Sequence, residues 1–251
     1  MPRNIKLVIE YDGTDFKGWQ IQPGLRTVQG VIQDAIKQLT GEDVRLKAAG
    51  RTDSGVHAIC QVANFFTESK MSTEEMHRAL NAILPGDVAI ISVEEVDEKF
   101  DARYSAISRR YRYTILNRNY PSAIMRNFVY FYPEPLDAEL MNKAIKVLEG
   151  THDFSSFRRS GDERSPTRTV IEAKCWREGD LVRVEIEAKS FLRGMVRAIV
   201  GTLLMLNKEK PEDPAARMKE ILDARDRSAA GPSVPPHGLC LIKVRYPGEE
   251  E

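Results

Sequence analysis

Hydrophobic and polar residues in the first hundred positions recur with two periods, one typical of strands and one typical of helices. The helical period is clearest over residues 28–39, where the apolar side chains share one face, Thr27 stands at the N-cap position and Gly41 follows the end. Ser72 and Glu75 form a possible capping box at the start of a second helix. The predicted order is βαββαβ, with strands at 5–11, 44–49, 58–66 and 88–96 and helices at 28–39 and 73–83.

The second half of the chain repeats this order. A long helix is predicted to start after Ser190 and to run to about Leu206, with Arg193 and Arg197 one turn apart on the same face. The other elements are strands at 109–116, 168–176, 181–188 and 239–246, a helix at 136–148 and an inserted helix at 214–224.

The repeat predicts an α+β fold of two ferredoxin-like, RRM-like βαββαβ units, residues 1–104 and 105–251, with a mainly antiparallel central sheet. Their boundary falls near residues 97–108, and no linker rich in Pro or Gly separates them. A cleft between the two units is therefore the expected ligand site.

Residues 50–58, with the sequence Gly-Arg-Thr-Asp-Ser-Gly-Val-His-Ala, concentrate the candidate chemistry. Asp53 follows Arg51 by two positions and lies between Gly50 and Gly55, so the loop can aim one carboxylate and Arg51 can keep it ionised. Asp-Ser-Gly is also a common composition for an ordinary polar turn, and the loop alone does not decide between the two interpretations. Arg197 borders a long apolar run, where a charge needs a partner, and Asp53 is the candidate.

The formal net charge is zero, with 37 basic and 37 acidic residues, and by itself this argues against a nucleic-acid partner. The distribution of charge points the other way. Residues 102–133 contain no acidic residue, and their arginines are interleaved with eight tyrosine or phenylalanine side chains, a combination that suits a positive groove for unstacked bases. The arginines are Arg103, Arg109, Arg110, Arg112, Arg118 and Arg126.

Several classes of protein are disfavoured by the composition. No apolar run approaches the roughly 20 residues that span a bilayer, and the first ten residues alternate as a strand does, so we expect a cytoplasmic protein. Cys60, Cys175 and Cys240 lie far apart in apolar segments, and the four histidines show no metal-ligand spacing. We therefore expect no metal site and no disulfide.

The ordered motifs resemble those of the TruA-type tRNA pseudouridine synthases over essentially the whole chain. Each motif is weak alone, but the set is specific. It comprises Tyr11-Asp12-Gly13, Gly18-Trp19-Gln20, the loop at 50–58, the run at 108–113, Gly150-Thr151-His152-Asp153-Phe154, Phe191-Leu192, Met195-Val196-Arg197 and Gly238-Leu239.

The resemblance implies a pseudouridine synthase fold and a role for each matching residue. Asp53 matches the catalytic aspartate, Tyr111 the tyrosine that stacks on the target base, and Leu239 an apolar residue on the other side of that base. Arg51 and Arg197 match basic residues that support the aspartate and the flipped nucleotide. Further RNA contacts are expected from Arg109, Arg110, Lys17, Trp19 and Gln20, with Trp19 in a mobile loop over the RNA.

The resemblance also implies the reaction and the partners. It predicts an isomerase that needs no cofactor or metal, and a homodimer that holds the anticodon stem-loop of tRNA across both subunits. The uridines converted to pseudouridine would lie at tRNA nucleotide positions 38 to 40.

Two other interpretations remain. A non-catalytic RNA-binding protein of two RRM-like units shares the βαββαβ order, although neither half contains that module's aromatic-rich motif. An aspartic protease would require a second carboxylate sharing a proton with Asp53, and Arg51 nearby would oppose the raised pKa on which that chemistry depends.

Overall fold

A computed structural model describes residues 2–159, 161 and 165–248 of the chain. Its helices are α1 (Val28–Thr40), α2 (Thr73–Ile83), α3 (Ala138–Lys146), α4 (Met195–Glu209) and α5 (Pro214–Ala224). Its strands are β1 (Arg3–Tyr11), β2 (Lys47–Ala48), β3 (His57–Thr67), β4 (Val88–Val96), β5 (Ser108–Leu116), β6 (Tyr130–Phe131), β7 (Gly150–Asp153), β8 (Thr167–Glu178), β9 (Leu181–Ala188) and β10 (Leu239–Arg245). The chain forms two compact units: unit 1 extends to Ile107 and resumes at Cys240, and unit 2 is Ser108–Leu239.

Unit 1 contains a sheet in the order β4-β1-β3-β10, in which β1 pairs antiparallel with both of its neighbours and β10 runs parallel to β3. Alternate residues of β1 are fully buried, as the strand period predicts. The apolar stripes of α1 and α2 are buried as well, and together these side chains form the core of the unit. They include Ile5, Leu7, Ile9, Ile32, Ile36, Met76 and Leu80.

The ends of the helices in unit 1 are set by local hydrogen bonds. The Thr27 side chain accepts from the Gly30 N–H, and Gly41 closes α1 in the left-handed conformation with φ of 78°. Ser72 and Glu75 form both bonds of a capping box at α2. These predicted helix boundaries are confirmed.

Unit 2 contains an antiparallel sheet in the order β5-β9-β8-β7, with the two-residue strand β6 parallel to β5. One face of β9 is apolar and fully buried, whereas the other carries Glu185 and Glu187 opposite Arg112 and Arg110 of β5. Asp137 caps α3 by accepting from two backbone N–H groups. The predicted mixed α+β fold with mainly antiparallel sheets is confirmed.

Two elements have bounds that differ from the prediction by several residues. The strand expected at 44–49 is reduced to the two residues of β2, which pair with Ala63 and Asn64. The helix expected after Ser190 begins at Met195, because Gly194 is left-handed with φ of 72° and interrupts the turn before it. Arg193 therefore precedes α4 and does not share a helical face with Arg197.

The last strand, β10, also belongs to a different unit from the one predicted. We predicted that it would close the second unit, but residues from Cys240 onward belong to unit 1, where Cys240 and Leu241 pair with His57 and Ala58 of β3. Pairing between strands far apart in sequence decides this grouping, and the sequence pattern carries no trace of it. Among the described residues, none of the helices has the length and apolar character required to cross a membrane.

Candidate active site

Asp53 lies half-buried in a loop that unit 1 holds at several points. The loop begins at Gly50, whose carbonyl accepts from Gln61 Nε2 at 2.9 Å, and its next anchored residue is Thr52. The Thr52 hydroxyl is hydrogen-bonded to the Tyr11 hydroxyl at 2.8 Å, in a buried position. The residue immediately before the acid is therefore tied to the end of β1.

A tight turn follows the acid. The Val56 N–H donates to the Asp53 carbonyl at 3.2 Å, and Gly55 has φ of 77°. A positive φ at the third position of such a turn is typical of type II, which favours glycine. The Ser54 hydroxyl donates to the Phe16 carbonyl at 3.1 Å, so the turn is fixed from outside as well.

Residues 13–19 form the wall against which this loop packs. A Cβ at Gly13 would lie 2.0 Å from the Val56 carbonyl oxygen, and a Cβ at Gly18 would lie 2.7 Å from the Thr52 carbonyl oxygen. That same Thr52 carbonyl accepts from the Trp19 N–H at 3.1 Å. Backbone therefore packs on backbone here, and no side chain larger than hydrogen fits at either glycine.

Trp19 lies in the core and not in the predicted mobile loop over RNA. Its side chain is 1% exposed and lies 6.1 Å, centroid to centroid, from the ring of Tyr11. It is a core residue of unit 1 and has no free face for a base, so the expected mobile loop over RNA is wrong for this residue. Lys17 is exposed and Gln20 is half-buried, and their predicted contacts with RNA stay predictions.

His57 supports the loop through its ring. Its Nδ1 accepts from the Gly13 N–H at 2.9 Å, and Asp12 Oδ1 is 3.2 Å from the same nitrogen. The two contacts require opposite protonation of Nδ1. The peptide N–H is a donor in every state and its bond is the shorter, and Asp12 Oδ1 also accepts from the Thr14 N–H. Nδ1 is therefore an acceptor, and His57 buttresses the loop through its bond from the Gly13 N–H.

Arg51 is exposed, and the described part of the chain gives its guanidinium no ion pair. The direct pair expected between Arg51 and Asp53 is therefore not formed, because the Arg51 side chain remains solvated. Arg51 stays a candidate for binding a substrate, since an exposed guanidinium offers five N–H donors to a phosphate or a base.

Unit 2 carries the remaining predicted residues. Tyr111 lies on β5, is 8% exposed, and meets the ring of Phe191 edge-on with 5.1 Å between centroids. Arg109 is buried and donates from Nη1 to the Lys189 carbonyl at 3.0 Å. The edge-on contact with Phe191 fixes the orientation of the Tyr111 ring, which we expect to stack on a base.

Arg197 of α4 contacts Val234, at the start of the segment that leads to Leu239. Arg197 donates from Nε to the Val234 carbonyl at 2.7 Å, and the Val234 N–H donates to the Arg197 carbonyl at 3.3 Å. Farther along, Tyr113 donates its hydroxyl to the Pro235 carbonyl at 2.8 Å, and burial raises the pKa of that hydroxyl. These contacts hold Val234 and Pro235 in place. The predicted roles of Arg197 and Leu239 stay predictions.

Arg110 is engaged inside the protein. Its guanidinium pairs with Glu187 at 2.5 Å and Glu172 at 2.7 Å, and more distantly with Glu185 at 3.5 Å. Burial lowers the pKa of Arg110, but the bond to Glu187 and the neighbouring carboxylates raise it above the ordinary value. An RNA phosphate would have to compete with these carboxylates, so Arg110 is a weaker candidate for RNA binding than the exposed cations.

The similarity to known proteins extends over most of the chain. A model of the tRNA pseudouridine synthase family matches residues 7–105 and 144–247. This chain belongs to the tRNA pseudouridine synthase family. Pseudouridine synthases are isomerases, so the predicted family and enzyme class are confirmed.

Individual relatives in this family match nearly the full chain. A tRNA pseudouridine synthase A from Thermoanaerobacter sp. (strain X514) is 46% identical over 245 residues, which cover 97% of this chain and 100% of the relative. A tRNA pseudouridine synthase A 2 from Clostridium perfringens is 48% identical over 247 residues, with the same coverage. A tRNA pseudouridine synthase A from Thermotoga maritima is 44% identical over 246 residues, also with the same coverage.

Some residues that hold the Asp53 loop in place were not predicted from the sequence. The predicted site residues were chosen for what they could do to a substrate, whereas much of the loop's geometry depends on Tyr11, Thr52, Gly13 and Gly18. The signal was present in the Tyr11-Asp12-Gly13 motif and in Gly18, which we expected to belong to an RNA-facing loop. Their contacts show that these residues hold the loop that carries Asp53, the acid loop, instead.

Proposed function

We propose that this chain converts uridine to pseudouridine in tRNA and that Asp53 is the nucleophilic carboxylate. The reaction breaks the bond between N1 and C1′ of the nucleotide and forms a bond between C5 and C1′. A proton leaves C5 and a proton is taken up at N1, so nothing is oxidised or added. The observation that carries the proposal is a half-buried carboxylate on a loop fixed by the framework on both sides.

One carboxylate suffices for this isomerisation. A retaining glycosidase uses a second carboxyl group to protonate its leaving group and to activate water. Here the released uracil must stay bound and must rejoin the sugar, so water has to be kept out. A site with one acid, apolar walls and cations meets that requirement.

We further propose that Tyr111, Leu239 and Arg197 bind the flipped nucleotide. Unstacking a base from a helical stem costs roughly a few kcal/mol, and an aromatic ring and an aliphatic side chain around the base would offset part of this. The contact of Tyr111 with Phe191 supports this role, because a ring held in one orientation loses little entropy when a base stacks on it.

The expected substrate region is the anticodon stem-loop of tRNA, in a cytoplasmic enzyme. An isolated anticodon stem-loop containing uridine should then be a substrate, and moving its uridines into the 5′ strand of the stem should abolish the reaction. Equal reaction with both oligonucleotides would contradict this part of the proposal.

Measurement of tritium release from tRNA labelled at uracil C5 tests the reaction itself. The wild-type protein should release tritium, and Asp53→Asn should lower the rate at least about 1,000-fold, as loss of a nucleophile does. Asp34→Asn is the matched control, because Asp34 is an exposed carboxylate on α1 and its loss should leave the rate unchanged. Undiminished release by Asp53→Asn would refute the role of Asp53.

The same assay distinguishes catalysis from the alternative function, which is RNA binding without catalysis. A non-catalytic protein of two RRM-like units would bind tRNA without releasing tritium from any preparation. Binding with no release by the wild-type protein would favour that alternative over catalysis.

We also propose that the protein is a homodimer. The segment 120–128 exposes four large apolar side chains, and an apolar patch of this kind is typical of an interaction surface. Light scattering should give twice the mass of one chain. Ile124→Glu, at a side chain that is 88% exposed, should favour the single-chain mass if this patch is the interface. A monomeric wild-type protein would contradict the proposal.

A further inference from the structure

We infer that Tyr11, acting through Thr52, is a positioning residue for the Asp53 carboxylate. This inference rests on the proposed function, because it assigns a role to residues that support the proposed nucleophile. Neither side chain is expected to touch the substrate, since Tyr11 is 2% exposed and Thr52 is 7% exposed.

The first step of the argument is the double attachment of Thr52. Its hydroxyl is bonded to the Tyr11 hydroxyl at 2.8 Å, and its carbonyl accepts from the Trp19 N–H at 3.1 Å. Side chain and backbone of the residue before the acid are thus fixed by two different segments. The peptide plane that leads into Asp53 has little freedom to rotate.

The second step is the rigidity of the support. Tyr11 is the last residue of β1, where it pairs with Ala58 of β3, and its ring packs near the buried ring of Trp19. The hydroxyl of Tyr11 is therefore held by a strand and by the core of unit 1. A functional side chain that is aimed from such elements is more precisely placed than one on an unsupported loop.

The third step is that Thr52 cannot move away from this bond without cost. Gly18 packs against the backbone of the loop, where a Cβ would approach the Thr52 carbonyl oxygen and the backbone of Asp53 and Ser54. The loop is thus held at its backbone by Gly18 and at the Thr52 side chain by the Tyr11 hydroxyl. Removing the hydroxyl leaves the backbone contact in place but releases the Thr52 side chain.

A change in the direction of Asp53 should affect the chemical step more than tRNA binding. Misplacement by about 1 Å can cost about 100-fold in rate, because the nucleophile must approach the reacting carbon along a defined line. Contacts with the rest of the tRNA do not depend on that line. The expected signature is a fall in kcat with little change in KM.

The experiment compares Tyr11→Phe and Thr52→Val with wild type in single-turnover and steady-state tritium release. Each variant should lower the single-turnover rate about 10- to 100-fold while KM stays within about twofold. Thr52→Ser keeps a hydroxyl and should restore most of the rate. The double variant Tyr11→Phe/Thr52→Val should be no slower than the slower single variant, because both changes remove the same bond.

Tyr246→Phe is the matched control. Tyr246 is also buried in unit 1, and its hydroxyl donates to the Ala102 carbonyl at 2.7 Å. Its loss removes one buried tyrosine bond elsewhere, so it should lower thermal stability as much as Tyr11→Phe and leave the single-turnover rate unchanged. Equal rates in Tyr11→Phe and wild type, or equal rate losses in Tyr11→Phe and Tyr246→Phe, would overturn the inference.

Failure of the inference can be distinguished from failure of the proposed function. If wild type releases tritium, Asp53→Asn does not, and Tyr11→Phe matches wild type, only the positioning role is lost. If wild type releases no tritium, or if Asp53→Asn is fully active, the proposed function itself fails.

Discussion

At Gly18 the absence of a side chain determines where the acid loop can lie. Its φ of 89° falls in the left-handed region, and a Cβ would approach the Thr52 carbonyl oxygen to 2.7 Å. Two separate costs therefore oppose any substitution: the backbone strain of an L-residue with positive φ and the collision with backbone that cannot rotate away. Glycine at this position is a requirement of packing as well as of local conformation.

Gly18→Ala should therefore destabilise the protein by about 3 kcal/mol, as measured by urea unfolding. Gly24→Ala is the control, because Gly24 has φ of 71° and a Cβ added there would have no atom within 4 Å. That control should cost only about 1 kcal/mol of backbone strain. Equal losses of unfolding free energy in Gly18→Ala and Gly24→Ala would show that the contact with Thr52 adds nothing to the cost of the substitution.

At the scale of single elements, helix ends depend on a few side chains within one turn. At α2 the Glu75 carboxylate accepts from the Ser72 N–H at 2.9 Å, and the Ser72 hydroxyl accepts from the Glu75 N–H at 3.2 Å. The backbone bond from Ser72, followed by the Ser72 hydroxyl, lowers the pKa of Glu75 below its ordinary value of 4.5. Ionised Glu75 therefore favours the folded state.

This shift predicts how the stability of the protein depends on pH. The pKa of Glu75 is lower in the folded state, so its contribution is fully present above the unfolded pKa and is lost as pH falls through the folded pKa. The difference in unfolding free energy between wild type and Glu75→Ala should shrink on acidification from neutral pH. Glu74→Ala, on the same turn but outside the capping box, should show a smaller dependence on pH. A difference independent of pH would exclude the ionised capping bond.

At the scale of the whole molecule, the net charge is zero, but some cations are paired with carboxylates and others are exposed to solvent. Arg110 and Arg112 pair with carboxylates of β8 and β9 on the sheet of unit 2, whereas Arg51 and Lys17 are exposed on unit 1. The segment that looked most basic in the sequence is thus partly neutralised. We expect the exposed cations to provide most of the attraction for tRNA.

Affinity for tRNA should fall steeply with salt in spite of the neutral total, because each phosphate contact releases counterions. Lys17→Ala and Arg51→Ala should each reduce the slope of log affinity against log salt by about 1. Arg217→Ala is the control, since Arg217 pairs with Glu209 and Glu220 on the surface. Salt-independent affinity in the wild type would refute the prediction, as would equal slopes in all variants.

The sequence by itself determined the features that depend on near neighbours in the chain. The capping residues Thr27 and Ser72 mark helix starts because a cap bonds within one turn, and the alternation in β9 marks a strand because its two faces meet different surroundings. The candidate acid Asp53 stood out for a similar reason, since two glycines and a cation frame it within a few residues.

The tertiary structure decided what depends on distant segments. It buried Trp19 beside Tyr11, reduced the strand at 44–49 to two residues, and joined β10 to β3 of unit 1. Each outcome rests on contacts between separate segments of the chain, which compete with local preference and leave no periodic trace. The support of the Asp53 loop by Tyr11 and Gly18 belongs to the same class, because a bond between two hydroxyls and a contact between two backbones both require that the segments meet.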